Sequence, residues 1–347
     1  MSNRSHAGGP SSKNQPYSIG IVIPTYNRHE VLLLCLERLE SQSWRDFEVV
    51  IVDDGSTDST PGRIEEYQRR GTLSIRYIRQ ENSGPARARN AGIAILRAPV
   101  CLMIGDDILA SPDLVLNHLQ LHQRRPEAYV AGLGLTRWSN SGQTVTGFMR
   151  WLDASGLQFA YDDLLRGTPP DWKHFYTSNL SLKTQFLREN PFDETFSMAA
   201  AEDIELGYRM YQRHGLEVVL LQAARAEHLH PTSFRQACRR MFNVGISTKR
   251  FHELWPDSVE PARSSFLRRG ARESILRHRW LLSMLTEAAD TLTTFWCPNP
   301  LMTNVLKAHF GCGYRSAEAK RPASNKRAKM TKFAGPFLPD QGNKDEN

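Results

Sequence analysis

The sequence predicts an α/β protein built around a mostly parallel sheet. Short apolar runs, typical of buried strands, alternate with segments that repeat apolar residues at helical spacing. Strands separated by helices form βαβ units, in which the strands run parallel. Polar clusters also follow three of the predicted strands, and in such sheets ligands bind beyond the carboxyl ends of the strands.

The first third of the chain supplies the regular part of this pattern. Ser59 or Thr60 can cap the second helix, and Pro61 suits its first turn. The predicted strands are 18–24, 47–52, 73–79 and 100–104, and the predicted helices are 30–41, 59–70, 85–97 and 112–122. The polar clusters at the strand ends are 24–27, 53–56 and 106–107.

The rest of the chain predicts a less regular, mixed arrangement. Residues 136–178 are rich in aromatic and polar side chains, and their tryptophans either stack on a ligand or fill a small core. Later predicted elements are strands at 179–182 and 217–221, a helix at 201–214, an amphipathic helix with a basic face at 234–249, and helical pieces within 264–310.

Composition narrows the class of protein. The formal charge of +7 favours anionic partners such as nucleotide phosphates. The five cysteines form no CxxC pair, which argues against a disulfide framework or a zinc site and fits a reducing cytoplasm. No signal peptide and no apolar run long enough to span a bilayer are visible, so we expect a cytoplasmic, soluble or peripheral protein.

The most informative feature is the pair Asp106 and Asp107, which ends the apolar run 100–104. Two charges at the tip of a buried strand are costly unless something neutralises them. A divalent cation does so, and Mg²⁺ or Mn²⁺ with a phosphate substrate is the usual case. The pair therefore predicts a phosphate-linked enzyme.

The motifs, in this order, resemble family 2 glycosyltransferases of the GT-A fold. The matching stretches are IVIPTYNR (21–28), VVIVDDGSTD (49–58), ENSGPARARNAG (81–92), MIGDD (103–107), NLSLKTQFL (179–187), FDETFSMAAAEDIELGYRM (192–210) and EHLHPTSF (227–234). The resemblance departs at Ile104 and Gly105, where many members carry another aspartate.

The resemblance implies a GT-A domain over residues 17–250. Residues 17–108 would be its Rossmann-like, nucleotide-binding half with a mostly parallel sheet, and 109–250 its mixed acceptor half. We expect residues 1–16 to be disordered, residues 251–312 to form a helical extension, and residues 313–347 to be a basic, disordered tail.

The implied function is a metal-dependent inverting hexosyl transfer. A nucleotide-sugar would donate its sugar to a hydroxyl group of a saccharide or lipid-linked saccharide. UDP is the first choice of nucleotide, and dTDP and GDP are left open. Such reactions serve polysaccharide, glycolipid or glycoprotein assembly.

The resemblance also assigns roles to residues. Asp203 would be the general base, and Glu202 would orient the acceptor or the surroundings of Asp203. Mn²⁺ or Mg²⁺ would bind Asp107 and His230, with His228 or an all-oxygen shell left open. The implied nucleotide-binding residues are Pro24, Tyr26, Asn27, Asp53, Asp54, Arg89, Asn90 and Asp106.

Plainer interpretations stand beside these. The motifs at 24–27 and 53–56 are also ordinary strand-to-helix turns, and Glu202 and Asp203 are ordinary acidic residues of a first helical turn. The main alternative function is a non-catalytic GT-A protein that binds nucleotide or acts as a scaffold. Nucleic-acid binding has no recognition motif to support it. The basic segments 234–250 and 315–332 fit either peripheral contact with an anionic membrane or a solvated surface.

Overall fold

An eight-stranded mixed sheet with helices on both faces forms the body of the protein. The computed structural model describes residues 17–196, 198, 200–258, 279–292 and 299–319. The strands are β1 Ile19–Thr25, β2 Phe47–Asp53, β3 Ile75–Arg79, β4 Val100–Ile104, β5 Ile108–Ala110, β6 Val130–Trp138, β7 Asn179–Lys183 and β8 Glu217–His228.

Helices separate most of the strands and continue after the last one. They are α1 His29–Glu40, α2 Thr60–Arg70, α3 Pro85–Ile95, α4 Leu114–Arg124, α5 Gly147–Ala154, α6 Tyr161–Leu165, α7 Thr184–Glu189, α8 Glu202–His214, α9 Phe234–Leu254, α10 Arg279–Leu292 and α11 Asn299–Ala319. Short 3₁₀ turns lie at Trp172–His174 and Pro256–Ser258.

The sheet has the order β3-β2-β1-β4-β7-β6-β8-β5. Strands β3, β2, β1 and β4 are parallel, which confirms the predicted βαβ half. Strand β7 then runs antiparallel to both β4 and β6, and β5 runs antiparallel to β8. The carboxyl ends of β1 and β4 therefore point to the same edge as the turn between β8 and α9.

Apolar side chains fill both faces of the sheet. Helices α1, α2 and α4 cover one face with side chains such as Leu36, Tyr67 and Leu119. Helices α3, α7 and α8 cover the other, for example with Phe186 and Leu206. This burial is the main favourable contribution to folding, and it leaves the strand ends open on the ligand-binding edge.

The elements differ from the sequence prediction mainly in the second half. The strand predicted at 217–221 continues to His228, and the helix predicted at 234–249 continues to Leu254. Strands β5 and β6 and helices α5 to α7 were not predicted; β5 and α7 are short, and α5 and α6 lie in the aromatic stretch. The tail boundary predicted at 313 falls inside α11, and the termini predicted to be disordered, 1–16 and 320–347, lie outside the described residues.

Helices α9, α10 and α11 pack against one another and against α5. Gly245 of α9 and Gly313 of α11 allow the contact, since a Cβ on either would lie 2.1 or 1.9 Å from a backbone oxygen of the other helix. The apolar stripe of α9 is thus covered by helices, and contact of the basic segment 234–250 with an anionic membrane stays a prediction. At its basic end, Arg235 pairs with Glu287 and Asp290 of α10. Among the described helices, none is apolar and long enough to cross a bilayer.

Candidate active site

A cleft of about 860 Å³ opens at the carboxyl edge of the sheet. Its walls come from the ends of β1 and β4, the start of α3, the start of α8, the turn after β8, and one face of α9. Most of the residues predicted for the site line it, namely Pro24, Tyr26, Asp54, Arg89, Asp106, Asp107, Glu202, Asp203 and His230. His228, which was left open as a metal ligand, lines it as well.

Asp106 and Asp107 lie on the floor of the cleft, directly after β4. Both are nearly buried, and the Thr25 hydroxyl donates to Asp106 Oδ2 over 2.8 Å. A Cβ at Gly105 would lie 2.7 Å from Asp107 Oδ1, so a larger residue at this position would force the Asp107 side chain to shift. The residue that departs from the common family pattern is therefore the one that leaves room for the Asp107 carboxylate.

The register of β8 brings two histidines to Asp107. Ile108 of β5 pairs with His228, and the Leu229 N–H donates to the Asp107 carbonyl over 2.9 Å. As a result, Asp107 Oδ2 lies 3.2 Å from His228 Nε2 and 3.3 Å from His230 Nδ1. One ligand atom from each of the three residues lies within 4.8 Å of the others. The sequence predicted His230 here and left His228 open, and the structure brings both to the aspartate.

An aromatic stack supports these histidines. Trp138, paired with His228 across β6 and β8, lies parallel to its imidazole with ring centres 5.1 Å apart. His228 in turn stacks on His230 at 5.4 Å. The sequence gave no such role to Trp138, which we considered only as a sugar platform or core residue. The pairing of β6 with β8 was the missing information, because β6 was not predicted.

Arg28 is the second residue whose role was not predicted. Its guanidinium joins both aspartates, with Nη1 2.9 Å from Asp106 Oδ1 and Nη2 2.9 Å from Asp107 Oδ2. Nη2 also lies 3.2 Å from His230 Nδ1, which must accept this hydrogen bond. Arg28 belongs to the quoted IVIPTYNR motif. Its contact with the aspartates was not visible in the sequence, because 78 residues separate it from Asp106 along the chain.

These contacts separate the two carboxylates of the pair. Burial and the adjacent Asp107 charge raise the pKa of Asp106 to about 7, against the opposing effect of Arg28. Burial alone would also raise the pKa of Asp107, but His228, His230 and Arg28 hold it well below its usual range. Asp107 is therefore the carboxylate that stays ionised, which is the state that ligates a cation.

The second carboxylate pair, Glu202 and Asp203, begins α8 on another wall of the cleft. The preceding Ala201 has a left-handed backbone, with φ of 64°, which turns the chain into the helix. Arg89 Nη1 donates to Glu202 Oε1 over 2.8 Å, and both side chains are nearly buried. Glu202 Oε2 and Arg89 Nε have no hydrogen-bond partner among the described residues. Both atoms are buried without a partner, so a polar group bound in the cleft beside them would satisfy them.

Asp203 forms no ion pair with any residue that the structure describes, and its Oδ1 accepts only the Ile204 N–H. Removal from bulk water and the neighbouring Glu202 charge raise its pKa to about 7, while Arg89 and Arg240 oppose the shift. A carboxylate with a pKa near the working pH is suited to accept a proton. The arrangement thus provides one unpaired base beside the open oxygen of Glu202.

Asp54 is placed where it can shape the rim. Its carboxylate accepts hydrogen bonds from the N–H groups of Ser83 and Gly84 and from the Gln80 side chain, all within 2.9 Å. These bonds fix the loop before α3, whose N-terminus faces the cleft and favours anions. Asp54 therefore lines the cleft and also holds the loop before α3 in place through its carboxylate.

Three residues predicted to bind nucleotide do not line the cleft. Asp53 is fully buried and accepts hydrogen bonds from the Ser56 N–H and the Tyr77 hydroxyl. Asn27 holds its turn, since its Oδ1 accepts the N–H groups of residues 57 and 58. Asn90 bonds both backbone polar groups of residue 192 and so anchors the segment before α8. Their contacts shape the walls rather than reach into the cleft.

Comparison with known families identifies the domain. Residues 20–183 match the family described as "Glycosyl transferase family 2". Validoxylamine A glucosyltransferase of Streptomyces hygroscopicus subsp. limoneus is 32% identical over 246 residues, which cover 61% of this chain and 51% of the relative. The uncharacterized glycosyltransferase YfnE of Bacillus subtilis (strain 168) is 26% identical over 278 residues, or 67% of this chain and 70% of the relative. The chain spans about half the length of the two validoxylamine A glucosyltransferases it matches.

A solved structure shows the same fold. Mannosyltransferase PcManGT from Pyrobaculum calidifontis, in complex with GDP-Man and Mn²⁺, superposes with a TM-score of 0.59. The superposition covers 89% of each chain at 15% sequence identity. At that identity the likeness establishes the shared architecture, and it confirms the predicted GT-A fold.

Proposed function

Since the chain belongs to glycosyl transferase family 2, we propose that it is a metal-dependent, inverting glycosyltransferase. It would move a sugar from a nucleotide-sugar, first of all a UDP-sugar, to a hydroxyl group of an acceptor. The donor class is supported by the PcManGT complex with GDP-Man, and glucose is the first sugar to test because a 32% identical relative is a glucosyltransferase.

One observation carries this proposal: two carboxylate pairs with different surroundings line the same cleft. Asp106 and Asp107 are surrounded by an arginine and two histidines, which suits a site for a cation and a diphosphate. Asp203 has no ion pair among the described residues and a raised pKa, which suits a base. A protein that only bound nucleotide would have no use for the second pair.

The residues around Asp107 fit a divalent cation. Asp107, His228 and His230 offer one carboxylate oxygen and two imidazole nitrogens within 4.8 Å of one another. Imidazole ligands favour a transition-metal ion such as Mn²⁺ over Mg²⁺, which prefers oxygen. When bound, the ion would neutralise the charge that develops on the departing nucleoside diphosphate.

Asp203 would act on the acceptor. In a single displacement, the acceptor oxygen forms a bond to the anomeric carbon as the bond from that carbon to the diphosphate oxygen breaks. The electron pair of the broken bond leaves with the diphosphate, and the hydroxyl proton passes to an Asp203 oxygen. Because attack comes from the face opposite the leaving group, the configuration at the anomeric carbon is inverted.

Glu202 and Arg89 would hold the acceptor in place for this step. Glu202 Oε2, which has no partner among the described residues, is available to accept a second hydroxyl of the acceptor. Arg89 keeps the Glu202 carboxylate in position through its 2.8 Å contact. Saccharide and lipid-linked saccharide acceptors both fit, because apolar side chains of α5 and α9 flank these polar groups.

The first experiment is a donor panel with the intact chain. UDP-, GDP- and dTDP-sugars are incubated with and without Mn²⁺, and donor hydrolysis and melting temperature are recorded. We expect one donor to be hydrolysed only with Mn²⁺ and to stabilise the fold by about 2.7 kcal/mol at a hundredfold excess over Kd. Both effects should vanish in Asp107→Asn and persist in Asp163→Asn, a control that removes an exposed carboxylate outside the cleft.

Other outcomes distinguish the alternatives. Binding of a nucleotide-sugar without turnover in the presence of many acceptors would favour the scaffold interpretation. Stabilisation that survives Asp107→Asn would move the donor site away from this carboxylate pair.

A further inference from the structure

Arg28 is held in place by the turn that precedes it. Asn27, at a left-handed φ of 52°, fixes this turn by accepting the Thr57 and Asp58 N–H groups, and its own N–H donates to Ser56 Oγ over 2.8 Å. Arg28 is the residue that caps α1. Its backbone is therefore fixed, while its side chain, 32% exposed, lies along the cleft.

The guanidinium uses the atoms that a cation would need. It contacts Asp107 Oδ2 at 2.9 Å, and this same oxygen is the one nearest His228 and His230. It also takes the lone pair of His230 Nδ1 at 3.2 Å. A divalent ion on these ligands would meet a positive charge at contact distance and ligand atoms already in use. Arg28 and the ion therefore compete for one position.

We propose that Arg28 is a resident counter-charge that closes the cation site of the nucleotide-free protein and is displaced when the ion enters together with a nucleoside diphosphate. This inference rests on the proposed function. The displaced guanidinium keeps a partner, because it can contact diphosphate oxygens in place of the aspartate oxygens that now bind the ion. Thr25 holds Asp106 throughout, so the carboxylate does not lose its orientation when Arg28 leaves.

The consequence is a strong coupling between the two ligands. The ion alone must displace Arg28 without compensation, so it binds weakly, whereas the ion with a diphosphate does not bear that cost. Coupling between two ligands is reciprocal, so Mn²⁺ must raise the affinity for the nucleotide by the same factor. Removing the guanidinium should strengthen Mn²⁺ binding in the absence of nucleotide and reduce the coupling.

The test measures Mn²⁺ binding by the electron paramagnetic resonance signal of the free ion. The unmodified chain, Arg28→Met and Arg28→Gln are compared without nucleotide and with saturating UDP or GDP. We expect both variants to bind Mn²⁺ about tenfold more tightly than the unmodified chain without nucleotide. Arg63→Met, which removes an exposed arginine of α2 paired with Glu66, should leave the affinity unchanged.

Failure of this inference is separable from failure of the proposed function. Equal or weaker Mn²⁺ binding by the Arg28 variants, with binding still lost in Asp107→Asn, overturns the counter-charge role and leaves the metal site standing. No Mn²⁺ binding by any protein overturns both. If neither variant folds, the unmodified chain alone decides: Mn²⁺ affinity that is the same with and without nucleotide overturns the inference.

Discussion

The two carboxylate pairs of the cleft each have one arginine, but the arginines are used differently. Arg28 contacts both Asp106 and Asp107, whereas Arg89 contacts only Glu202. In the first pair every acid is matched by a cation, and in the second Asp203 is left without one among the described residues. The difference shows how one cleft can hold a charge-binding site and a proton acceptor built from the same residue types.

The surroundings of the arginines differ as well. The Arg28 side chain is 32% exposed and lines the cleft, whereas that of Arg89 is 11% exposed and lies over the Phe192 ring. The first pair thus has a counter-charge that a ligand can replace. The counter-charge of the second pair, Arg89, is buried and packed in place.

The largest expected effect comes from neutralising the acid without a partner. Asp203→Asn should lower kcat about 10²- to 10⁴-fold, because the acceptor proton loses its destination. Affinity for donor and Mn²⁺ should be unchanged, since Asp203 lies outside the first pair. The same variant should melt at a higher temperature above pH 7, because it removes a charge that burial disfavours.

Asp107→Asn is the matched comparison for this variant, since it should lose donor binding instead of the chemical step. Steady-state kinetics and calorimetric titration of the donor separate the two effects. If Asp203→Asn weakened donor binding as much as Asp107→Asn does, the division of labour between the pairs would be wrong.

Substitutions of Arg89 and Arg28 should differ in how much free energy of unfolding they cost and in how far Mn²⁺ restores it. Arg89→Met leaves the buried Glu202 carboxylate unpaired, and breaking such a pair costs about 3 kcal/mol of unfolding free energy. Arg28→Met should cost less, because His228 and His230 remain beside Asp107 and its surroundings are more exposed. At equal Mn²⁺ concentration, Arg28→Met should gain more stability than Arg89→Met, because the guanidinium that competes with the ion is absent only in Arg28→Met; urea unfolding with and without Mn²⁺ measures both gains.

A larger gain from Mn²⁺ in Arg89→Met than in Arg28→Met would contradict the competition between guanidinium and metal ion. Failure of Mn²⁺ to recover Arg28→Met would contradict the interchange of guanidinium and metal ion.

A backbone difference between the pairs gives a smaller effect. At Gly105, before the first pair, a Cβ would lie 2.7 Å from Asp107 Oδ1, and Ala201 precedes the second pair at a φ of 64° that disfavours a side chain. Ala201→Gly should therefore be neutral or stabilising by up to about 1 kcal/mol. Gly105→Ala should weaken Mn²⁺ binding, because its Cβ would press on the Asp107 carboxylate. Thermal unfolding and Mn²⁺ titration of the two variants measure these opposite outcomes.

The sequence was sufficient for the donor half, for reasons that are local. Each strand of this half is an apolar run, each helix has its own periodicity, and parallel topology then places Pro24, Asp54 and Asp106 at one edge. The acceptor half depends on long-range pairing instead. The register of β8 against β5 and β6 brings His228 to Asp107 and Trp138 to His228, and no local pattern encodes it.

The same limit applies to individual partners. Arg89 was predicted to bind nucleotide, which stays a prediction, and no local pattern indicated its contact with Glu202, 113 residues further along the chain. The role of Asp53 at a base also stays a prediction, and its contacts with Ser56 and Tyr77 were not visible in the sequence. Residue type and spacing identified which side chains carry charge. They could not identify which charge neutralises which, because that depends on packing between distant segments.

The smallest expected effect tests whether Asp203 responds to its distant neighbours. Arg240 of α9 lines the cleft, is exposed, and lowers the pKa of Asp203 by its charge. The base must be deprotonated, so activity should rise with pH through a midpoint near 7, the pKa that the structure gives Asp203. Arg240→Gln removes a charge that favours the ionised form. The midpoint of kcat/KM should therefore move to higher pH by a fraction of a unit, and added salt should diminish this difference because the charge is exposed.

Arg239→Gln is the control, since Arg239 is the exposed neighbour of Arg240 on α9 and does not line the cleft. It should leave the midpoint in place. Equal shifts in the two variants would show that Asp203 senses only the overall charge of α9. Activity that fell with pH through this midpoint would mean that the titrating group must stay protonated, and Asp203 would then be the wrong residue for the base.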